Sequence, residues 1–151
     1  MVRQSATATI LVMTAIYEYL HSVTSDEIDR FGHANNLAYL RWTLGAAEAH
    51  STAVGWSNER YTEFGAAFIV RSHQIKYVSP AYLNDRLAIR TWVAELKPKS
   101  SLRRFKIYRV AGEQLLCKGT TEWAFVSLQD GRLQALPEEV LEAFKPLAAM
   151  D

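Results

Sequence analysis

The chain has 151 residues, of which 49% are hydrophobic and 22% charged, a composition typical of a globular domain with a substantial core. Seventeen basic and sixteen acidic side chains give a formal net charge of +1, so no overall field indicates a nucleic acid or an anionic membrane as partner. The single cysteine, Cys117, excludes an intrachain disulfide and a multi-cysteine metal site. We therefore expect one cytoplasmic domain over residues 1–151, with no metal, nucleic-acid or membrane partner.

The N-terminal part contains the apolar run Ile10 to Ile16, which is similar to a weak signal peptide. Glu18 interrupts the run, and no small-residue cleavage site follows, so a loose tail that runs into a first strand is the better interpretation. Alternation of aromatic and polar residues from Tyr17 to Val23 predicts that strand. No stretch of the sequence is long and apolar enough to span a bilayer.

A long helix is predicted from Asn36 to Val54, where apolar positions recur at steps of three and four. Asn35 or Asn36 can cap its start, and Gly55 can end it. Gly45 and the neighbouring alanines make the helix thin, so a sheet can approach its backbone closely. We expect this helix to be buried.

The rest of the chain is mostly strand, followed by a short helix from about Pro137 to Leu147. Alternating apolar residues predict strands over Phe68 to Val78, Leu87 to Val93, Leu102 to Val110 and Leu115 to Leu128. Consecutive strands with short turns are typical of antiparallel pairing. The element order therefore predicts an α+β domain, with a core over about residues 17–128, in which one sheet packs against one long helix.

The segment between the first strand and the long helix reads Asp29-Arg30-Phe31-Gly32-His33-Ala34-Asn35-Asn36. It places a carboxylate immediately before a helix N-terminus, where free backbone N–H groups can hold an anion. Asp29 is either a catalytic residue or a structural residue that braces the turn. Gly32 is needed either because the backbone has a positive φ there or because another group approaches it closely. His33 is either a structural or a functional histidine, and the asparagines are expected to shape the turn.

The motif Asp29-x-x-Gly32-His33-x-Asn35-Asn36-x-x-Tyr39 and the element order resemble the hotdog-fold thioesterases, particularly the hydroxybenzoyl-coenzyme A thioesterase-like branch and the related acyl-carrier-protein thioesterases. The resemblance runs from about residue 17 to 128. In these families an antiparallel sheet wraps around a central helix, subunits pair edge to edge, and active sites lie at the interface. The resemblance implies an acyl-CoA thioesterase that forms a homodimer or homotetramer and takes CoA as part of its substrate, with no cofactor.

The same resemblance assigns roles to the motif. Asp29 falls on the family's catalytic aspartate, and the backbone N–H of Asn36 falls where the family polarises the thioester carbonyl. His33 matches the histidine of the Gly-His-x-Asn-Asn version of the motif, and Gly32 and Tyr39 are candidate substrate-binding residues. Asp29 can attack the carbonyl directly or take a proton from water, and both routes stay open at this point.

A second candidate group surrounds the turn between the third and fourth predicted strands. In hotdog thioesterases, basic residues at comparable strand ends often contact the phosphates of CoA, and bidentate arginine suits such contacts. The alternative is a solvated hairpin end. The group consists of Lys97, Lys99, Ser100, Ser101, Arg103 and Arg104.

Two departures from the family pattern refine the expectation. Phe31 stands where plant-type acyl-carrier-protein thioesterases carry an asparagine, which favours CoA thioesters as substrates. Many bacterial relatives carry a glutamate early in the helix, where this chain has Leu44 and Gly45, so Glu48 inherits no role. Two alternative functions remain open: a non-catalytic module that binds acyl thioesters, and a thioesterase that acts on an acyl-carrier protein.

Overall fold

The computed structural model describes residues 15–147, so the expected N-terminal tail falls mostly outside the described residues. One antiparallel sheet of five strands packs against a long helix. The strands are β1 (Tyr17–Ser22), β2 (Ala66–Tyr77), β3 (Arg86–Lys97), β4 (Ser100–Arg109) and β5 (Gln114–Ser127). The helices are α1 (Asn36–Ala53), α2 (Asn58–Phe64) and α3 (Glu138–Ala143), with 3-10 turns at Ser25–Glu27 and Ala111–Glu113.

Helix α1 begins where the sequence predicts, because Asn35 caps it. The Asn35 side chain accepts a hydrogen bond from the Ala38 N–H at 2.9 Å. Ala38, Trp42 and Ala46 are almost fully buried, which confirms that α1 is a core helix. Gly45 faces Tyr19 of β1, since a Cβ added there would lie 3.6 Å from the tyrosine hydroxyl.

The strand order is β1-β3-β4-β5-β2, so β1 and β2 form the two edges of the sheet. Ser22 pairs with Arg86 at the end where the chain enters the motif, and we call this the motif end. Lys97 pairs with Ser100 at the other end, which we call the hairpin end. At about 3.3 Å per residue, the two ends lie roughly 36 Å apart along β3.

Two details differ from the sequence prediction. Helix α2 was not predicted; Ser57 caps it and Gly65, with φ of +88°, ends it. The prediction that α3 runs to Leu147 was wrong, because α3 ends at Ala143 and the Leu147 N–H donates to the Val93 carbonyl at 2.8 Å. None of the helices within residues 15–147 is long and apolar enough to cross a membrane.

Two glycines offer a test of the packing. A Cβ at Gly119 would lie 2.2 Å from the Gln74 carbonyl oxygen, so Gly119→Ala should destabilise the fold by about 2 kcal/mol or more. Gly45→Ala meets only ordinary contacts inside a helix and should stabilise it by about 0.5–1 kcal/mol. Urea unfolding of both variants measures the difference, and changes of the same sign would contradict this packing.

Candidate active site

The motif forms a tight loop at the motif end of the sheet. A bridge between Ile28 and Ala34 closes it. Inside the bridge, the Asp29 N–H donates to the His33 carbonyl at 2.9 Å, and the Gly32 N–H donates to the Asp29 carbonyl at 3.1 Å. Gly32 has φ of +87°, while a Cβ there would meet no atom within 4 Å. Glycine is therefore needed here for its positive φ, and not because another group packs closely against it.

Asp29 has one carboxylate oxygen engaged and one facing His33. Its Oδ1 accepts from the Phe31 N–H at 2.8 Å, as in an Asx-turn. Its Oδ2 lies 3.6 Å from Nδ1 of His33, and the side chain is 28% exposed. Asn35 and not Asp29 caps the helix. Asp29 thus braces its own turn with one oxygen while the other stays accessible beside a histidine.

The N-terminus of α1 is open next to this loop. Asn36 is the first helical residue, so its N–H has no carbonyl partner inside the helix, and it makes no other hydrogen bond within residues 15–147. Asn36 and Leu37 are both exposed. The helix dipole adds a partial positive charge at this position, which suits an anionic or strongly polarised oxygen.

Glu27 holds the motif in place and was not recognised as a site residue from the sequence. Its carboxylate is buried, with only 7% of the residue exposed. Oε1 accepts from His21 at 2.8 Å and from the Thr24 N–H at 2.9 Å, and Oε2 accepts from the Trp42 indole at 2.6 Å. The backbone carbonyl of Glu27 accepts from both the N–H and the side-chain amide of Asn35.

The hydrogen bonds of Glu27 also set its charge state. Burial by itself would raise the pKa of Glu27, but the hydrogen bonds from Thr24, His21 and Trp42 outweigh burial and lower it. Glu27 is therefore an ionised carboxylate in the folded protein at neutral pH. The sequence signal for this role is the capping-box pattern Thr24-x-x-Glu27, which places a carboxylate three residues after a threonine.

Tyr39 lies in the core beneath the motif and not in the wall of an open pocket. It is 3% exposed, and its hydroxyl accepts from the Ala81 N–H at 3.0 Å. Burial raises the pKa of Tyr39. Since the Ala81 carbonyl accepts from the Ala34 N–H at 2.8 Å, Tyr39 ties the loop before β3 to the motif.

The six candidates for phosphate binding do not converge. Lys97 and Lys99 are exposed in the β3–β4 turn, and Ser100 is half-buried. Alternation along β4 then turns Ser101 and Arg103 inward and Arg104 to the opposite face. All six lie at or near the hairpin end, away from Asp29, so one chain does not assemble these residues and Asp29 into a single site.

A cavity of about 590 Å³ lies beside the C-terminal half of α1. Its wall is mostly apolar, and Arg103 enters it from β4 with only 7% of its surface exposed. Apolar lining residues include Leu44, Ala47, Phe68, Val93, Leu96 and Trp123.

Within residues 15–147, the hydrogen bonds of the Arg103 side chain all come from Nη1. Its Nη1 donates to Nδ1 of His50 at 2.9 Å and to the Thr91 hydroxyl at 3.1 Å. His50 must therefore be the unprotonated acceptor. Burial, together with the charge of Arg103, lowers the pKa of His50 from 6.5 to about 4.

The sequence model of the thioesterase-like superfamily matches residues 23–144. This chain belongs to the thioesterase-like superfamily. Its fold matches that of a 1,4-dihydroxy-2-naphthoyl-CoA thioesterase from Synechocystis, with a TM-score of 0.79, 19% identity, and coverage of 85% of this chain and 95% of that one.

Two further solved structures share the fold. A hypothetical protein from Staphylococcus aureus, solved in complex with CoA, has a TM-score of 0.80 and 15% identity over 85% of this chain and 80% of that one. The YbaW probable thioesterase from Escherichia coli has a TM-score of 0.73 and 23% identity over 85% of this chain and 99% of that one. The hotdog fold expected from the sequence is thereby confirmed for this superfamily member.

Within residues 15–147, no three His, Cys, Asp or Glu side chains lie close enough together to hold a metal ion. Cys117 is buried, and burial raises its pKa to about 12, so its thiol is not a ready nucleophile.

Replacing the Glu27 carboxylate tests its role in the motif. In Glu27→Gln the amide has one acceptor oxygen for several buried donors, so we expect a loss of about 2–3 kcal/mol in the free energy of unfolding. Glu18→Gln is the matched control, because Glu18 is an exposed residue of β1 that pairs with Arg90 at 3.0 Å and should cost less than about 1 kcal/mol. Equal losses for the two variants in urea unfolding would contradict the assignment.

The lowered pKa of His50 predicts acid sensitivity. The unfolded chain takes up a proton near pH 6.5, whereas the folded protein resists it until about pH 4. Stability therefore falls as the pH drops through this window, by up to about 3 kcal/mol at 1.36 kcal/mol per pKa unit. His50→Gln should show a flatter dependence between pH 6.5 and 4. Parallel curves for the two proteins in thermal unfolding would refute this origin of the acid sensitivity.

Proposed function

We propose that this superfamily member hydrolyses acyl or aroyl thioesters of coenzyme A to a free acid and CoA. The proposal is carried by one juxtaposition: the partly free carboxylate of Asp29 lies at the same end of the fold as the N–H of Asn36, which has no hydrogen-bond partner within residues 15–147. A thioester carbonyl placed between them would meet a nucleophile or base on one side and a hydrogen-bond donor on the other.

The helix N-terminus suits the charge that develops in this reaction. Attack on a thioester converts its carbonyl oxygen into an oxyanion, so a fixed donor there stabilises the transition state more than the ground state. The Asn36 N–H, supported by the α1 dipole, supplies such a donor and can be worth about 10²–10³ in rate. The capping contact from Asn35 keeps this donor in place.

Asp29 serves either of two routes. As a nucleophile, its free Oδ2 bonds to the carbonyl carbon, the C–S bond breaks with CoA leaving as its thiolate, and water then hydrolyses the mixed anhydride. As a general base, the same oxygen takes a proton from water while the oxygen of that water attacks the carbon; the C–S bond then breaks, and the thiolate of CoA leaves and takes up that proton. In both routes His33, whose Nδ1 lies 3.6 Å from Oδ2, would orient the carboxylate.

A CoA thioester in a dimer or tetramer is our proposal for the physiological arrangement. The Synechocystis and Staphylococcus aureus proteins support CoA as the carrier, and Phe31 favours it over a carrier protein. Edge strand β2 exposes Ile69 and Val70, so a second copy would cover an open sheet edge. Lys97 and Lys99 lie at the hairpin end, so they would contact the phosphates of a CoA bound at Asp29 only across a subunit interface. We also propose that the enzyme is cytoplasmic.

Asp29→Asn separates catalysis from turn structure. An asparagine keeps the acceptor for the Phe31 N–H but removes the reactive carboxylate, so hydrolysis of acyl-CoA substrates should fall by at least about 10² in kcat. Asp130→Asn is the control, because Asp130 accepts from the Arg132 N–H at 3.0 Å in a comparable turn. Free thiol released from a panel of acyl- and aroyl-CoA thioesters is the measurement.

The other outcomes of this experiment are informative. Full activity in Asp29→Asn would overturn the assigned chemistry. Saturable binding of acyl-CoA by calorimetry, without turnover by the wild-type protein, would instead identify a non-catalytic binding module. Turnover confined to acyl-carrier-protein thioesters would identify the carrier protein as the substrate.

A further inference from the structure

The cavity beside α1 contains a buried cation, the guanidinium of Arg103. Arg103 is 7% exposed, and no carboxylate within residues 15–147 lies within 4.0 Å of its guanidinium. Glu48 also lines the cavity, but its carboxylate accepts from the Asn58 amide at 2.7 Å and is exposed. A buried guanidinium normally requires a paired anion, because the loss of hydration is otherwise uncompensated.

The free edge of Arg103 has the geometry of a carboxylate receptor. Nη1 makes both of its hydrogen bonds, to His50 and Thr91, and the Phe144 ring lies 5.8 Å from the guanidinium carbon. Nε and Nη2 make no hydrogen bond to any residue within 15–147. These two donors form one edge of the planar guanidinium, which matches the two oxygens of a carboxylate.

The surroundings keep the guanidinium charged and oriented. Burial lowers the pKa of Arg103 to about 10, which still leaves it protonated at neutral pH. His50 and Thr91 fix one side of the group, so little conformational freedom is lost when an anion binds the other side. The remaining wall, including Leu44, Val93 and Trp123, is apolar or aromatic, and the volume of about 590 Å³ lies in the range of small-molecule sites.

We propose that this cavity binds the carboxylate of a small organic acid with an apolar body, held by Nε and Nη2 of Arg103. The carboxylate belongs either to a free acid or to the far end of an acyl group that is carried as a thioester. The second source rests on the proposed thioesterase function. Leu44, at the near end of the cavity, lies about 12 Å along α1 from Asn36, so within one chain only an extended acyl group would connect the two sites.

Direct binding tests the proposal without any need for catalysis. Calorimetry of the full-length protein with benzoate and hexanoate, against benzamide and hexanamide, should show the acids binding at least about tenfold more tightly. Arg103→Met should abolish that preference, and Arg103→Lys should weaken it, because lysine keeps the charge but not the two-donor edge. Arg104→Met is the matched control, since it changes the neighbouring residue on the opposite face of β4.

Kinetics distinguish the two sources of the carboxylate. The substrates are thioesters whose acyl group ends in a carboxylate, from succinyl-CoA to hexadecanedioyl-CoA, and the controls are acyl-CoAs of equal length that end in a methyl group. If the end of the acyl group is the ligand, Arg103→Met should lower kcat/KM at least about tenfold for the first series and not for the second. If it is not the ligand, the two series should respond alike. Acid binding that depends on Arg103 without this kinetic effect assigns the cavity to a free acid. If no thioester is hydrolysed, the proposed function is overturned, but the result of the binding experiment still stands.

Equal affinity for acids and amides would overturn the proposal. So would an acid preference that survives in Arg103→Met. The thermal midpoint provides a second measurement, which compares each variant with and without ligand: added benzoate should raise the midpoint of the wild type and of Arg104→Met, and should not raise the midpoint of Arg103→Met.

Discussion

The buried carboxylate of Glu27 is the contact on which the candidate active site depends. An ionised carboxylate is stable in the interior only when donors replace its water, and here the donors come from His21 on β1, from Thr24 and from Trp42 on α1. Its carbonyl holds Asn35 as well. Through Glu27, the motif is therefore attached both to strand β1 and to helix α1. This attachment lets Asp29 and Asn36 be accessible to solvent and still keep a defined position.

Much of the fold could be predicted because its signals are local. The period of alternation identifies the strands, and an asparagine before an apolar helix face places the start of α1 at Asn36, as observed. Helix α2 escaped prediction because it has seven residues, of which only Tyr61 is buried, so it has no apolar stripe. The length of α3 was not predicted correctly, because the Leu147 N–H donates to the Val93 carbonyl in β3, about fifty residues earlier. No local sequence pattern indicates such a contact.

The motif and the basic group show why parts of a site differ in predictability. The motif is contiguous, so its turn and helix start follow from neighbouring residues. The basic group is also contiguous, but alternation along β4 separates Arg103 from Arg104 and points one inward. That outcome was available from the sequence, because Arg103 lies two residues before the apolar Phe105 and alternation puts both on the same face of β4. A cationic side chain in a row of buried residues indicates that polar partners for it are needed inside the core.

The two ends of α1 treat charge in different ways, and this difference explains how a cavity can discriminate between ligands. At the N-terminus the partial charge of the helix is open to water, so an anion there is stabilised but weakly selected. Near the C-terminus, Arg103 lies in the interior, where its Nη1 donates to His50 and Thr91 and no carboxylate within residues 15–147 pairs with it. An amide that filled the cavity would remove Nε and Nη2 from solvent and offer them one neutral oxygen, whereas a carboxylate offers two charged oxygens, so selectivity would come mainly from the cost of binding the wrong molecule.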